Sequence, residues 1–406
     1  MAKSFDLIIL LFFMVGFVHS QYQNIEFDHL TVEDGLAGNR VYCILQDSKD
    51  FMWFGTESGL CKYDGYSFTT YTPDSENPNS IGHIFIWSIM EDYKGDIWIG
   101  TYGGGLHKFD HEKEIFINYK NENSNPYSLS NNFVSAICQS PADSGNTLWI
   151  GTRWGGLNKL NLNTEKFYNH HKGSWNFSKL NIQNIFDMYF DREGILWIGT
   201  VGSGLIQYDI KTENLVCYTH NPDYENSLSN DQVRTIYQDR SGNIWIGTEG
   251  GLNRFDKNKK KFTRYLCKPN DKNSLSDNNI ISIFQDKSGY LWIGTFNGLN
   301  IFNPETGKVE RIHSNLNDDH ALSHDYITKI YQDVSGIFWI STLGGINKYN
   351  PTTKNFVHFR ISFDNYTKTN SNSVRSIQED KTNNKVLWIG SSLYIHEIIF
   401  KKEDMK

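Results

Sequence analysis

The chain has 406 residues and a formal net charge of −7, which excludes a binder of nucleic-acid phosphates because such a protein needs a basic surface. Aromatic residues make up 15% of the chain, and glycine, with 33 copies, far outnumbers proline, with 8. This composition favours many short strands joined by tight turns over long helices or disorder.

The first twenty residues differ from the rest of the chain. Lys3 precedes an apolar run over residues 7–18, which ends in a sequence that resembles a cleavage site. Twelve apolar residues are too few to span a bilayer but suit the core of a signal peptide. We therefore predict a signal peptide over residues 1–20, a mature chain that begins near Gln21, and a periplasmic or otherwise extracytoplasmic location. No later segment is long and apolar enough to predict a membrane span.

Eight copies of one tetrad dominate the remainder of the chain. Each copy reads Trp-(Ile/Phe)-(Gly/Ser)-(Thr/Ser), and successive copies lie 45 to 51 residues apart. The tetrads begin at Trp53, Trp98, Trp149, Trp197, Trp245, Trp292, Trp339 and Trp388. A period of this length indicates one supersecondary unit copied many times.

The fifth copy shows the predicted strands of one unit. Its first segment alternates apolar and polar residues, which is typical of a strand, and Asp239 followed by Gly242 has the chemistry of a turn. The four predicted strands are 233–239, 244–248, 252–255 and 262–265. Each unit is therefore predicted to be a four-stranded antiparallel meander.

A meander with two apolar faces must stack against its neighbours, so the sequence predicts an all-β fold, a β-propeller of four-stranded antiparallel blades. The tetrad Trp and Ile are expected to fill the space between blades, and the tetrad glycine to allow close backbone approach. Residues 25–30 precede the first unit and resemble a fourth strand. We expect this strand to complete the last blade and close the ring.

The chain resembles the regulator-propeller repeats of two-component sensor proteins, mainly hybrid histidine kinases of Bacteroidetes-type bacteria. The resemblance covers roughly residues 25 to 390. Its motifs are Phe27 to Leu36, Gln46-Asp47, the tetrads, Gly59-Leu60, Tyr63 to Gly65, and Ser-Leu-Ser at 128–130, 227–229 and 274–276. It implies two consecutive seven-bladed periplasmic propellers, followed by an immunoglobulin-like domain, a membrane span and a kinase. It also implies a response to oligosaccharides and, in the full-length sensor, a possible homodimer.

This chain carries eight units, so we expect a sensor truncated before the membrane span and kinase. We predict a propeller over 21–355 and an eighth repeat over 356–406, which either starts a second propeller or supplies a closing blade. In a seven-bladed ring, residues 25–30 pair with 345–349. In an eight-bladed ring, 394–400 supply the third strand of the last blade and 25–30 its fourth. The family pattern favours seven blades.

The most irregular residues follow the tetrads or lie in the loops between blades, and both sets of loops are expected on one face. Aromatic rings beside an arginine and carboxylates suit a surface that binds an oligosaccharide or another small ligand. The predicted ligand-binding face comprises Glu57, Tyr102, Arg153, Trp154, Trp175, Glu249, Phe296, Asn297, His324 and Asp325.

Other functions remain as alternatives, namely a propeller-fold glycoside hydrolase or lyase and a protein-binding scaffold. Asp191, Asp239 and Asp286 resemble the Asp boxes of sialidases but are interpreted as residues that close turns. Glu57 and Glu249 could in principle form a catalytic pair but lie four blades apart. The five cysteines are widely spaced, and His170-His171 has no third ligand at suitable spacing. No catalytic residue, metal site or cofactor is predicted.

Overall fold

The computed structural model describes residues 25–169, 182–352, 374–379, 386–391 and 395–399. The predicted signal peptide lies outside them. The chain divides into two compact units, Met1–Pro351 and Thr352–Lys406. The first unit contains seven four-stranded antiparallel sheets, and one turn of 3-10 helix at Val32–Asp34. Over the described residues, no helix is long and apolar enough to cross a bilayer.

The first six blades each consist of four strands that are consecutive in the chain. Blade 1 contains β2 (Val41–Gln46), β3 (Met52–Thr56), β4 (Leu60–Tyr63) and β5 (Phe68–Tyr71). Blade 2 contains β6 (Ile86–Glu91), β7 (Ile97–Thr101), β8 (Leu106–Asp110) and β9 (Ile115–Tyr119). Blade 3 contains β10 (Val134–Gln139), β11 (Thr147–Thr152), β12 (Gly156–Asn161) and β13 (Lys166–Asn169).

Blades 4 to 6 repeat this order, and blade 5 confirms the predicted strands to within a residue or two. Blade 4 contains β14 (Ile185–Phe190), β15 (Ile195–Thr200), β16 (Leu205–Asp209) and β17 (Asn214–Tyr218). Blade 5 contains β18 (Val233–Gln238), β19 (Ile244–Thr248), β20 (Gly251–Asp256) and β21 (Lys261–Tyr265). Blade 6 contains β22 (Ile280–Gln285), β23 (Leu291–Thr295), β24 (Gly298–Phe302) and β25 (Val309–Ile312).

Blade 7 is completed by the start of the chain. It contains β26 (Ile327–Gln332), β27 (Phe338–Thr342), β28 (Gly345–Tyr349) and β1 (Asp28–Leu30). β1 pairs antiparallel with β28, so that Asp28 lies opposite Lys348 and Leu30 opposite Ile346. This pairing confirms the seven-bladed ring, and the eight-bladed alternative is wrong because residues 25–30 complete the seventh unit.

The described strands of the second unit form one antiparallel sheet. Its strands are β29 (Val374–Glu379), β30 (Val386–Ser391) and β31 (Ile395–Ile399), in that order. They correspond to the first three strands of the eighth repeat, with the last tetrad on β30.

The first strand of each blade lies nearest the axis, since these seven strands contact one another in a closed ring from β2 through β26 and back to β2. Each of them contains a β-bulge directly after its first residue. A bulge inserts one residue into the ladder and redirects its side chain. The inserted residues, which we call the bulge ring, are Tyr42, Trp87, Ser135, Phe186, Arg234, Ile281 and Thr328.

The tetrads form the walls between blades, as blade 5 illustrates. The Trp245 side chain is fully buried in a cluster with Ile280, Leu291 and other residues of blade 6. Its Nε1 donates to Asp239 Oδ2 at 2.8 Å, while Asp239 Oδ1 accepts from the turn amide of Asn243, also at 2.8 Å. A Cβ on Gly247 would lie 2.7 Å from Ile280 Cγ2, which explains the glycine at this close approach.

The same Asp–Trp pair occurs in six blades, with Nε1 to Oδ2 distances of 2.7 to 2.9 Å. The Asp residues that resemble sialidase motifs therefore close turns, as interpreted from the sequence. The structure adds that each also binds the tetrad Trp. The preceding glutamine connects blades. Gln285 Oε1 accepts from Arg240 N of blade 5 at 2.8 Å, and Gln46 Oε1 accepts from Val334 N at 2.8 Å across the closure.

Blade 2 contains a buried histidine at a position that is asparagine in blades 3, 5, 6 and 7. His107 Nδ1 donates to Asn118 Oδ1 at 2.6 Å, and its Nε2 lies 3.2 Å from Thr101 Oγ1. Burial lowers the pKa of His107 to about 4, and the hydrogen bond to Asn118 opposes this effect. The folded state therefore favours the neutral imidazole.

We expect His107 to make the propeller sensitive to acid. The pKa of His107 is lower in the folded than in the unfolded chain, so protonation favours unfolding. The free energy of unfolding should therefore be unaffected by His107 above about pH 6.5 and should fall by up to about 3 kcal/mol as the pH drops towards 4. Urea unfolding of His107→Asn should show a weaker loss of stability between pH 7 and 4 than the wild type. The exposed His320→Asn variant serves as the control, and an unchanged pH profile in His107→Asn would contradict the assignment.

Candidate functional site

The loops that join the second and third strands lie beside the start of the first strand of the same blade. Glu57 N donates to Arg40 O at 3.2 Å in blade 1, and Tyr102 N donates to Phe85 O at 3.1 Å in blade 2. In blade 3, Arg153 N donates to Phe133 O at 3.0 Å. These loops, the loops between blades and the bulge ring therefore meet at one end of the central channel, which we call the channel mouth.

The channel contains a cavity of about 260 Å³. All seven members of the bulge ring line it. Below the ring its wall includes Asp187 and Lys329, which interact electrostatically without forming an ion pair within 4 Å. Burial raises the pKa of Asp187, and Lys329 opposes this effect.

One side of the channel mouth is covered by a continuous group of aromatic rings from blades 1 to 3. Neighbouring ring centroids in this group lie 4.3 to 5.8 Å apart. The group, which we call the aromatic platform, comprises Tyr42, Phe85, Trp87, Tyr102, Phe133 and Trp154. Tyr102 and Trp154 are 46% and 58% exposed, so ring surface remains available to a ligand.

The platform ends at two arginines. The guanidinium carbons of Arg153 and Arg234 lie 4.2 and 4.1 Å from the centroid of the Phe186 ring. Arg234 Nε donates to Glu249 Oε1 at 2.9 Å, and the two side chains form a salt bridge. Burial lowers the pKa of Arg153, and the positive charge of Arg234 lowers it further. The mouth thus combines apolar ring faces with cationic groups.

Trp154 is held in an unusual backbone conformation. Its φ angle is 63°, in the left-handed region that bulky residues rarely adopt. Its amide donates to Asn184 Oδ1 in the next inter-blade loop at 3.0 Å, and its ring packs edge-on against Phe133. A strained and exposed tryptophan supports a functional role, because such strain tends to be retained where a site requires it.

The structure brings together Tyr102, Arg153, Trp154 and Glu249 of the predicted face through their contacts with Phe133, Phe186 and Arg234. Glu57 lies at the same end of blade 1, and Phe296 stacks on Tyr326 with centroids 4.4 Å apart. Asn297 and His324 are exposed in loops of the same end. Trp175 and His170-His171 lie outside the described residues.

Asp325 has a bracing role within its loop. Its Oδ1 accepts from Ser314 N at 2.7 Å, and its carbonyl oxygen accepts from Gly298 N at 2.7 Å. Asp231 and Asn278 accept equivalent amide hydrogen bonds before blades 5 and 6, from His220 N at 2.6 Å and Cys267 N at 2.7 Å. The carboxylate of Asp325 is therefore occupied in the inter-blade connection.

Sequence reasoning missed the bulge ring and several platform residues. Tyr42, Trp87, Phe186 and Arg234 belong to strands that were interpreted as simple alternation, in which their positions carry no special meaning. The available signal was an aromatic ring or an arginine at the second position of the first strand, directly after an apolar residue. The bulge that turns these side chains towards the mouth depends on the pairing of two strands.

The two possible catalytic carboxylates of the sequence belong to different blades. Glu57 belongs to blade 1, whereas the Glu249 carboxylate engages Arg234 in blade 5. Over the described residues, no group of three or more His, Cys, Asp or Glu side chains is arranged to hold a metal ion.

Comparison with protein families identifies the repeats. A model described as "two component regulator propeller" matches residues 35–58, 80–103, 179–202, 227–250 and 274–297. These segments fall in blades 1, 2, 4, 5 and 6. The chain carries two-component regulator propeller repeats. Each matched segment, over its described residues, runs from the loop before a blade through the first strand to the tetrad.

Known proteins extend this assignment. The extracellular domain of a hybrid two-component system from B. thetaiotaomicron is 30% identical, with a TM-score of 0.71, over 90% of this chain and 47% of that one. Histidine kinase P4 of Formosa agariphila is 34% identical over 102 residues, which are 24% of this chain and 7% of the kinase. The regulator propeller is thus homologous to extracellular domains of two-component sensor systems and spans less than half the length of these relatives.

More distant structures share the fold alone. Virginiamycin B lyase from Staphylococcus aureus is 12% identical, with a TM-score of 0.57, over 80% of this chain and 98% of the lyase. At this identity the likeness describes the propeller architecture, because one such fold hosts many unrelated activities.

Proposed function

We propose that this chain is the extracytoplasmic ligand-sensing propeller of a two-component signal transduction system, and that its ligand is an oligosaccharide. The observation that carries the proposal is the aromatic platform, which presents the half-exposed rings of Tyr102 and Trp154 beside Arg153 at the channel mouth. Pyranose rings have apolar faces that stack on aromatic side chains, while polar groups orient them. Homology to extracellular sensor domains supports the same function.

In the complete system, the propeller would be exported by the signal peptide at residues 1–20 and would extend over 21–355. The eighth repeat, 356–406, would begin a second propeller. Ligand binding would bias a dimeric kinase across the membrane, which requires unequal affinity for two arrangements of the sensor. Trp154 has a strained left-handed backbone conformation, so a ligand that contacts its ring would also affect the backbone conformation of this loop.

Isothermal titration calorimetry with a panel of plant and host oligosaccharides tests the proposal. We expect binding without product formation. Trp154→Ala and Tyr102→Ala should each lower the affinity by about tenfold or more, because each removes an aromatic ring on which the sugar would stack. Circular dichroism should show an intact fold in both. Tyr66→Ala, which removes a ring that is 95% exposed in the β4–β5 turn, is the matched control and should bind normally.

The same experiment separates the alternatives. Release of shortened sugars would show that the protein is a hydrolase, and release of unsaturated sugars would show that it is a lyase; either result would contradict the proposed sensor. A protein-binding scaffold would be favoured by two results together. No oligosaccharide would give a heat of binding, and a protein partner would bind saturably to the wild type but not to Trp154→Ala.

A further inference from the structure

Arg153 is the least satisfied charged group of the channel mouth. Its Nε and Nη1 atoms are buried and have no hydrogen-bond partner among the described residues. Its guanidinium lies against the Phe133 and Phe186 rings, with its carbon 5.8 and 4.2 Å from the two centroids. Cation–π contacts offset only part of the cost of removing a guanidinium from water, since they leave its N–H donors unused.

The neighbouring charges leave Arg153 uncompensated. Arg234 is the other cation beside Phe186, and its charge is matched by Glu249 in the salt bridge. Glu57 lies at the mouth in blade 1, and its Oε2 is also buried and has no hydrogen-bond partner among the described residues. Asp187 and Lys329 line the channel below the bulge ring, and their opposite charges balance each other. The arginine side of the mouth therefore carries one net positive charge next to the stacking surface of Trp154.

We propose that the ligand of the channel mouth is anionic, with a carboxylate or sulfate group that binds the guanidinium of Arg153 while an adjoining sugar ring stacks on the aromatic platform. This inference rests on the proposed function and specifies its substrate class. A planar guanidinium matches both oxyanions, and the resulting charge-assisted hydrogen bonds are stronger than neutral ones. The two sources of the anion, a uronate carboxylate and a sulfate ester, are distinguished by experiment.

Calorimetric titration with oligogalacturonates and sulfated galactan (κ-carrageenan) oligosaccharides tests the proposal, with methyl-esterified oligogalacturonates and desulfated galactan oligosaccharides as their neutral counterparts. We expect an acidic oligosaccharide to bind at least about tenfold more tightly than its counterpart, and the affinity to fall as salt rises. Weaker binding after methyl esterification would identify the carboxylate as the bound group, and weaker binding after desulfation would identify the sulfate.

Variants assign the effect to Arg153. Arg153→Gln should lower the affinity for the acidic oligosaccharide by about tenfold or more and that for its neutral counterpart by a clearly smaller factor, and Arg153→Lys should restore part of the loss. Arg254→Gln, which removes an arginine over Trp245 in blade 5, is the matched control and should have no effect. Equal or tighter binding of the neutral counterparts would overturn the anionic ligand but leave the oligosaccharide sensor standing. Absence of binding with any sugar would overturn both.

Discussion

A chain that starts at Thr31, and so lacks β1, is expected to lose the cooperative unfolding transition of the propeller. Without residues 25–30, β28 becomes an open edge and Phe27 leaves its cluster with Trp292 and Phe338. Loss of a fully buried phenylalanine alone costs about 3–5 kcal/mol. Because whole domains are stable by only about 5–15 kcal/mol, the additional loss of the closing ladder should leave little stability, and the open edge should promote aggregation.

Urea unfolding followed by circular dichroism, with size-exclusion chromatography, measures this effect. The matched control is a chain that ends at Pro351, which removes the second unit but keeps all seven blades. We expect this control to unfold with a midpoint close to that of the whole chain. The reverse result, in which the control collapses and the chain from Thr31 remains cooperative, would contradict closure by β1.

Trp245→Ala is expected to destabilise the propeller by about 3–5 kcal/mol. Its ring is fully buried between blades 5 and 6, so truncation leaves a cavity, and the Asp239 carboxylate loses the Nε1 donor that it binds at 2.8 Å. Trp245→Phe keeps most of the apolar volume but removes that donor. It should cost about 1.5–3 kcal/mol, the range for a hydrogen bond to a charged group.

Trp154→Ala provides the matched control, because the same residue type is 58% exposed at the channel mouth. Its removal should change the free energy of unfolding much less than the removal of Trp245 does, because the ring is mostly exposed and alanine keeps the same backbone strain. Chemical denaturation of the three variants beside the wild type is the measurement. Comparable destabilisation by Trp154→Ala and Trp245→Ala would contradict the assignment of Trp154 to ligand binding and Trp245 to packing.

The candidate site was accessible from the sequence only in part. Tyr102, Arg153, Trp154 and Glu249 stood out because they follow the tetrads, where the repeats differ from one another. Tyr42, Trp87, Phe186 and Arg234 were hidden within regular strands. Asp325 stays a predicted ligand-binding residue, although its carboxylate already accepts a hydrogen bond from Ser314 N, a contact that recurs between other blades.

The amino-acid sequence by itself determined the blade architecture and the use of residues 25–30 to close the ring. Trp, Gly and Asp recur because each blade interface needs a buried ring, a close backbone approach and a closed turn, and these demands repeat with the unit. The unpaired strand at residues 25–30 predicted that this segment closes the ring, since an open edge is costly. The sequence left its partner open between residues 345–349 and 394–400, and the structure pairs it with β28.

Only the tertiary structure decided which side chains meet at the channel mouth. The bulge ring gathers one residue from each of seven repeats, so positions far apart in the chain become neighbours around the axis. The position of Arg153 and Arg234 on one Phe186 ring depends on three blades at once. No local pattern encodes such a contact, because the distance between blades is set by the packing of the whole ring.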